Sequence, residues 1–267
     1  MATKTEILFP VEKVPMVNMT KGLGFNPRFT HAIVGDIKGK KVVLNICSKS
    51  YTLVKNEDII LPFEKALGEQ FTFDTVIRER GNSRFYIDYI IKDELFTIAR
   101  KDKISPRVRV HNSYDGRLKF HLSYGFFRQV CSNGMVVGEK LKNLNLMHTE
   151  QMAENYAPSE LVEGIQGFLD QAKDLIQPYI DLNNQKVTNV QDRVMEVIEE
   201  TKFPTRQAEE VLARIEAERK QLNLPYVTDW LVFNGFNFQL NHNEAINMDE
   251  HKKEKVDFEV LTHLLGL

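Results

Sequence analysis

Cysteine is scarce in this chain of 267 residues: Cys47 and Cys131 stand alone, and neither belongs to a CxxC pair. Two thiols cannot build a disulfide framework. The chain is therefore expected to be intracellular, a cytoplasmic protein with reduced cysteines. Long hydrophobic runs are also missing. No stretch approaches the about 20 apolar residues of a membrane span, and the opening MATKTEILFP has no basic-then-apolar leader. The seven histidines (His31, His111, His121, His148, His242, His251, His263) form no HExxH and no zinc spacing with cysteine. Lys21-Gly22-Leu23-Gly24 lacks the GxxxxGK[ST] phosphate loop. These absences remove zinc hydrolases and P-loop ATPases. The expectation is a protein without metal, cofactor or catalytic role.

What is present is ordinary in amount and unusual in arrangement. Hydrophobic residues make up 42% and charged residues 27%, which suits a globular protein with a substantial core. The net charge of −2 conceals a split. Residues 1–142 carry 24 basic and 15 acidic side chains, a net +9, whereas residues 143–267 carry 11 and 22, a net −11. Such asymmetry suggests a basic working half and an acidic half with another task, either self-association or recruitment of a basic partner.

The periodicity changes at the same place. Lys41–Cys47 is a β-branched run. Phe71–Arg80 and Phe85–Ile91 alternate around Gly81-Asn82, the pattern of a hairpin. A short helix is expected over 57–68. A second hairpin is expected from Arg107–His111, a loop at Tyr114-Asp115-Gly116, and Arg117–Ser123. After 157 the spacing is helical. It predicts helices from Pro158 to Asp181 with Pro178 kinking or ending the first, then Val187–Thr201, Arg206–Leu222, Pro225–His242, and a short one from Val256. The class is α+β: an antiparallel, hairpin-rich sheet in 1–150 and a helical region in 151–267, packed as one composite domain.

In the second hairpin Arg107, Arg109 and His111 alternate with valines, and Arg117, Lys119, His121 and Ser123 alternate with Leu118, Phe120 and Leu122. Like charges facing each other across strands are unfavourable, and acids are few nearby. A phosphate backbone is thus the expected counter-ion. Arg78, Arg80 and Arg84 extend the patch, and Tyr114 is placed to stack on a base. The expected partner is single-stranded nucleic acid, most simply DNA, in replication or recombination. The alternative is a protein-interaction module whose working surface is the acidic helices. Cys131 next to Ser132 invites a nucleophile reading, but a thiol on an apolar segment is more often inert packing.

Val110–Glu139, VHNSYDGRLKFHLSYGFFRQVCSNGMVVGE, resembles the phage/plasmid-like protein family called domain of unknown function 932. The matching positions are Asn112, Asp115, Gly116, Arg128, Cys131, Ser132, Asn133 and Gly134. A second block, 225–242, is similar to that family's closing helix at Trp230 and Asn234, and departs from it where a glutamate is replaced after Asn237. The resemblance implies a mobile-element protein and assigns no chemistry. From the residues themselves, Asn112, Asp115, Ser132 and Asn133 read as turn-stabilising groups. Asn234, Asn237 and His242 read as a polar seam on a helix packed through Trp230, Phe233 and Phe236.

Overall fold

The computed structural model describes residues 2–16, 30–99, 102–118, 120–129, 133–136, 144–146 and 158–267. The chain begins with α1 (Lys4–Ile7), β1 (Val11–Pro15), β2 (His31–Ile37), β3 (Lys40–Cys47) and α2 (Asn56–Gly68). It continues through β4 (Phe73–Arg80), β5 (Arg84–Ile91), β6 (Phe96–Ala99), β7 (Asp102–Ser113), β8 (Phe120–Arg128), β9 (Asn133–Val136) and β10 (Leu144–Leu146). Helices then dominate: α3 (Pro158–Asn184), α4 (Val190–Glu200), α5 (Ala208–Gln221), α6 (Asp229–His242) and α7 (Glu250–Leu265). Two short strands, β11 (Lys186–Val187) and β12 (Val227–Thr228), lie between them. The class is α+β, with antiparallel sheets in the N-terminal half and helices in the C-terminal half.

The contacts divide this chain into two compact units. The first unit comprises Met1–Asp93, Val108–Ser123 and Lys142–Gly167, and the second comprises Glu94–Arg107, Tyr124–Leu141 and Phe168–Leu267. The charge split does not survive this regrouping. Counted over the same sequence, the first unit carries 18 basic and 16 acidic residues and the second 17 and 21. The halves of +9 and −11 become +2 and −4, because basic segments join the acidic helices and an acidic segment joins the first unit.

Within the first unit, β1, β2 and β3 form an antiparallel sheet with β2 in the centre. Lys38 and Gly39, both at positive φ, make the two-residue turn of the β2–β3 hairpin. The register slips between Ile33 and Val34, which pair with Asn45 and Val43 and leave Leu44 as a bulge. The β4–β5 hairpin forms as the alternation predicted, with Arg80 opposite Arg84 and Gly81, Asn82 and Ser83 between them. Gly81 and Asn82 take the left-handed conformations that such a turn requires.

The second unit is organised around α6. From Asp229 to Asn237 every residue is buried, so this part of the helix has no solvent face. Tyr179, Trp230 and Phe233 meet edge-on or stacked, with ring centroids 5.6–6.0 Å apart. The amide nitrogens of Asn234 and Asn237 donate inside the protein. Asn234 donates to the Trp230 carbonyl at 2.6 Å, and Asn237 donates to Asp257 at 2.6 Å. Pro178 does not end α3, which runs six residues further while Tyr179 and Leu182 bury fully. That burial outweighs the hydrogen bond proline removes. The fourth expected helix starts at Asp229 rather than Pro225, because Val227–Thr228 pair with Lys186–Val187. The last begins at Glu250, capped by Asp249, whose carboxylate accepts from the Lys252 amide at 2.9 Å.

Candidate functional site

The expected basic strand face is the place to begin, since its side chains alternate as the sequence requires. Alternation settles which residues share a face and leaves open whether that face meets water. In β7 both faces are covered: every residue from Ile104 to Ser113 is buried. Arg107 is 1% exposed, Arg109 2% and His111 2%. Arg109 reaches Asp88 of β5 through two bonds, Nε at 2.6 Å and a terminal nitrogen at 2.9 Å, and Arg78 of β4 reaches the same carboxylate at 2.8 Å. Asp88 is fully buried. The counter-ion of this face is therefore an internal carboxylate, and Arg109 does not present its charge to a phosphate. Arg107 donates to the Met135 carbonyl at 3.2 Å. His111 packs edge-on against Tyr86 and against His121, itself half-buried.

Tyr114 is also removed from stacking. It is 1% exposed, and its hydroxyl accepts from the Asn56 amide at 2.8 Å while its ring packs on Phe9 and Phe85. Burial pushes its phenol well above the usual tyrosine range. Asn112 lies beside it and donates to the Asn56 side chain at 2.8 Å and the Val54 carbonyl at 3.1 Å. Asp115 closes the loop. It accepts from Arg84 at 2.7 Å and from the Arg117 amide at 3.1 Å. Gly116 has φ +70, and a Cβ there would come 3.0 Å from the Asn45 side chain of β3. Glycine is thus required twice, by conformation and by contact. Of the expected nucleic-acid residues, Arg80 and Arg117 are exposed, Arg78 and Arg84 are half-buried in ion pairs, and Lys119 lies outside the described residues.

Within the second unit, Arg128 joins the two sequence blocks. It is wholly buried, holds Asp102 through Nε at 2.8 and 2.9 Å, and reaches Glu218 of α5 at 2.7 Å. The Trp230 indole donates to the same Asp102 at 2.7 Å, and the guanidinium lies 5.4 Å from the indole ring centre. Arg128 and Trp230 are 102 positions apart and share one carboxylate. Breaking such a buried pair by removing one partner costs about 3–5 kcal/mol. Arg214 reaches the same Glu218 at 2.9 Å, so two guanidinium groups meet two carboxylates and the arrangement ties β7, β8, α5 and α6 together.

Gly125 makes a close approach. A Cβ there would sit 2.2 Å from the Met135 carbonyl of the paired strand β9. Asn133 and Gly134 are the first residues of β9, opposite Arg128 and Phe127, rather than the turn before it. Cys131 and Ser132 lie outside the described residues. Among the described residues no group of three or more His, Cys, Asp or Glu is placed to hold a metal ion, and no helix is long and apolar enough to cross a membrane.

Sequence reasoning missed Asp88, Asp102, Glu218 and Asn56, which receive the predicted residues. Asp88 carried a signal, a lone carboxylate inside Phe85–Ile91, where an unpaired charge would be costly. It also missed the surface of β3. There Val42 is 41% exposed, Val43 52% and Ile46 50%, on a strand whose edge away from β2 pairs with none of the described strands. Lys38, Lys40, Lys41 and Lys49 flank them, all exposed.

Together these features define an α+β protein that buries the motif residues Asn112, Arg128, Trp230 and Asn234 and exposes apolar side chains on a strand edge that is unpaired among the described residues. The family described as Domain of unknown function (DUF932) matches residues 43–259, and the chain belongs to it. No curated protein matches the chain, and no solved structure matches it.

Proposed function

We propose that this protein is a non-catalytic protein-interaction module of a mobile element, working through the exposed edge of β3. The observation that carries the reading is the exposure of Val42, Val43 and Ile46 on one edge strand. Proteins generally blunt such edges or use them, and exposed apolar clusters mark contact sites. The acidic helices, the surface first suggested for this role, offer charge without an apolar centre, and interface cores are depleted in charge.

The test is capture of a partner from extract of the host cell on immobilised full-length protein, followed by rebinding of the purified partner. Binding to the wild type that is lost in Val43→Asp/Ile46→Asp supports the reading. A partner retained by that variant refutes it.

Single-stranded nucleic-acid binding is the second reading. It is favoured by the exposed cations Lys38, Lys40, Lys41, Lys49, Arg80 and Arg117 of the first unit, and it no longer uses Arg107, Arg109 or Tyr114. Anisotropy of a labelled single strand and a matching duplex, at about 50 and about 200 mM salt, distinguishes the readings. Binding that falls steeply with salt and is weakened by Arg117→Glu would replace the interaction module. Absence of binding at the lower salt leaves that module standing.

A further inference from the structure

We infer that the occupant of the β3 edge is an extended, acidic segment of another protein, which adds to the β1–β2–β3 sheet as a fourth strand. This rests on the interaction reading above and names the partner's chemistry. Backbone supplies the first argument. β3 pairs with β2 along one side from Lys40 opposite Ile37 to Cys47 opposite His31, and its other side meets no described strand. An open edge offers a row of amide and carbonyl groups to an incoming strand. In this mode main-chain bonds supply affinity and alternate side chains supply selectivity.

Side chains supply the second argument. Residues opposite one another share a face of the sheet. Val43 thus shares its face with Val34, and Ile46 with Ala32, while Val14 pairs with Ala32 from the other flank. The result is an apolar stripe across three strands that ends, half-exposed, at the open edge. Beside it lies a depression of about 230 Å³ lined by Pro10, Val11, Glu12, Val34, Asp36 and Lys41.

Charge selects the partner. From Lys38 to Ser50 there are four lysines and no acid. Lys38 faces Glu6 at 3.8 Å and Lys41 faces Glu12 at 3.0 Å, with both lysines largely exposed, so these pairs are weak. Lys40 and Lys49 are exposed, one at each end of the strand. A second copy is disfavoured. Antiparallel pairing of β3 with itself about Val43 and Leu44 would set Lys38 opposite Lys49 twice, and like charges directly opposite are destabilising. An acidic strand places carboxylates at the same two ends.

The test uses three labelled peptides of about eight residues, the usual strand length. One has a Val/Ile/Thr centre with glutamates at both ends, one has lysines in their place, and one is the acidic peptide with alternate amides N-methylated. Each is titrated by anisotropy against the full-length wild type and against Lys40→Glu/Lys41→Glu, whose exposed positions leave the fold intact by circular dichroism. The acidic peptide is expected to bind at least about tenfold more tightly than the lysine peptide. The variant, whose row then carries two lysines and two glutamates, is expected to lose that preference, and N-methylation to abolish binding. Failure of the acidic peptide to bind overturns the proposal, as does binding indifferent to N-methylation, which would be charge attraction alone. A dimer in sedimentation that Val43→Asp dissociates would assign the edge to a second copy instead. If the acidic peptide fails while a captured host partner still depends on Val43 and Ile46, only the acidic-strand inference falls. If that dependence is absent, the interaction reading falls with it.

Discussion

Asp88→Ala removes a fully buried carboxylate from between two guanidinium groups, Arg109 bonded at 2.6 and 2.9 Å and Arg78 at 2.8 Å. Arg78 is 23% exposed at its side chain and can turn toward water, whereas Arg109 is 3% exposed and cannot. The cost is therefore that of removing one partner of a buried ion pair, about 3–5 kcal/mol. That is a large share of the about 5–15 kcal/mol that holds a typical domain together. In urea unfolding followed by circular dichroism, with a slope of about 2–3 kcal/mol/M, the midpoint should fall by about 1–2 M. Asp88→Asn keeps an acceptor and should lose less, about 1.5–3 kcal/mol. Asp88→Leu combined with Arg109→Met removes both charges and should recover most of the loss, since apolar replacements of buried pairs are often neutral. An Asp88→Ala cost below about 1 kcal/mol, the range of exposed pairs, would refute the reasoning. Arg109 would then be solvated, and the strand face would again be open to phosphate.

Trp230→Phe keeps most of the ring packing and deletes the 2.7 Å bond to Asp102, so it should cost about 1.5–3 kcal/mol in the same assay, with Asp102→Ala costing more. Gly125→Ala drives a methyl group to 2.2 Å from the Met135 carbonyl, and should prevent β8–β9 pairing, read as lost amide-exchange protection in β9 or as insoluble protein. Arg117→Glu sits on an exposed loop and should change stability by less than about 0.5 kcal/mol, measured by thermal unfolding. Burial pushes the Tyr124 phenol up to about 12, and raises Tyr51, Tyr114 and Tyr179 as well. A phenol raised in the fold contributes stability that is complete below its unfolded value of about 10 and lost as pH climbs toward the folded value. In an alkaline titration, tyrosinate absorbance from these residues should appear together with loss of circular dichroism above about pH 10. Ionisation of Tyr124 near pH 10 with the fold intact would contradict its burial.

Local pattern determined a good deal. The alternation of Phe71–Arg80 and Phe85–Ile91 about Gly81-Asn82 specified the β4–β5 hairpin, and helical spacing after 157 located the helices, the last of which starts six residues before the expected Val256. The two blocks that resemble the family were legible as residues, Asn112, Asp115, Gly116 and Arg128 in one and Trp230 and Asn234 in the other. Tertiary structure decided what those residues do. Period two assigns Arg107, Arg109 and His111 to one face, but only packing decides whether water reaches it, and here both faces of β7 are covered. The scarcity of acids beside the arginines misled because electrostatics acts through space: Asp88 lies 21 positions from Arg109, and Glu218 lies 90 from Arg128. For the same reason a split of +9 and −11 along the chain folds into units of +2 and −4. The open edge of β3 was the least legible feature. Lys41–Cys47 reads as a strand from its composition, whereas its place at the end of a sheet depends on which strands pair, a contest among backbone edges that no local run of side chains records.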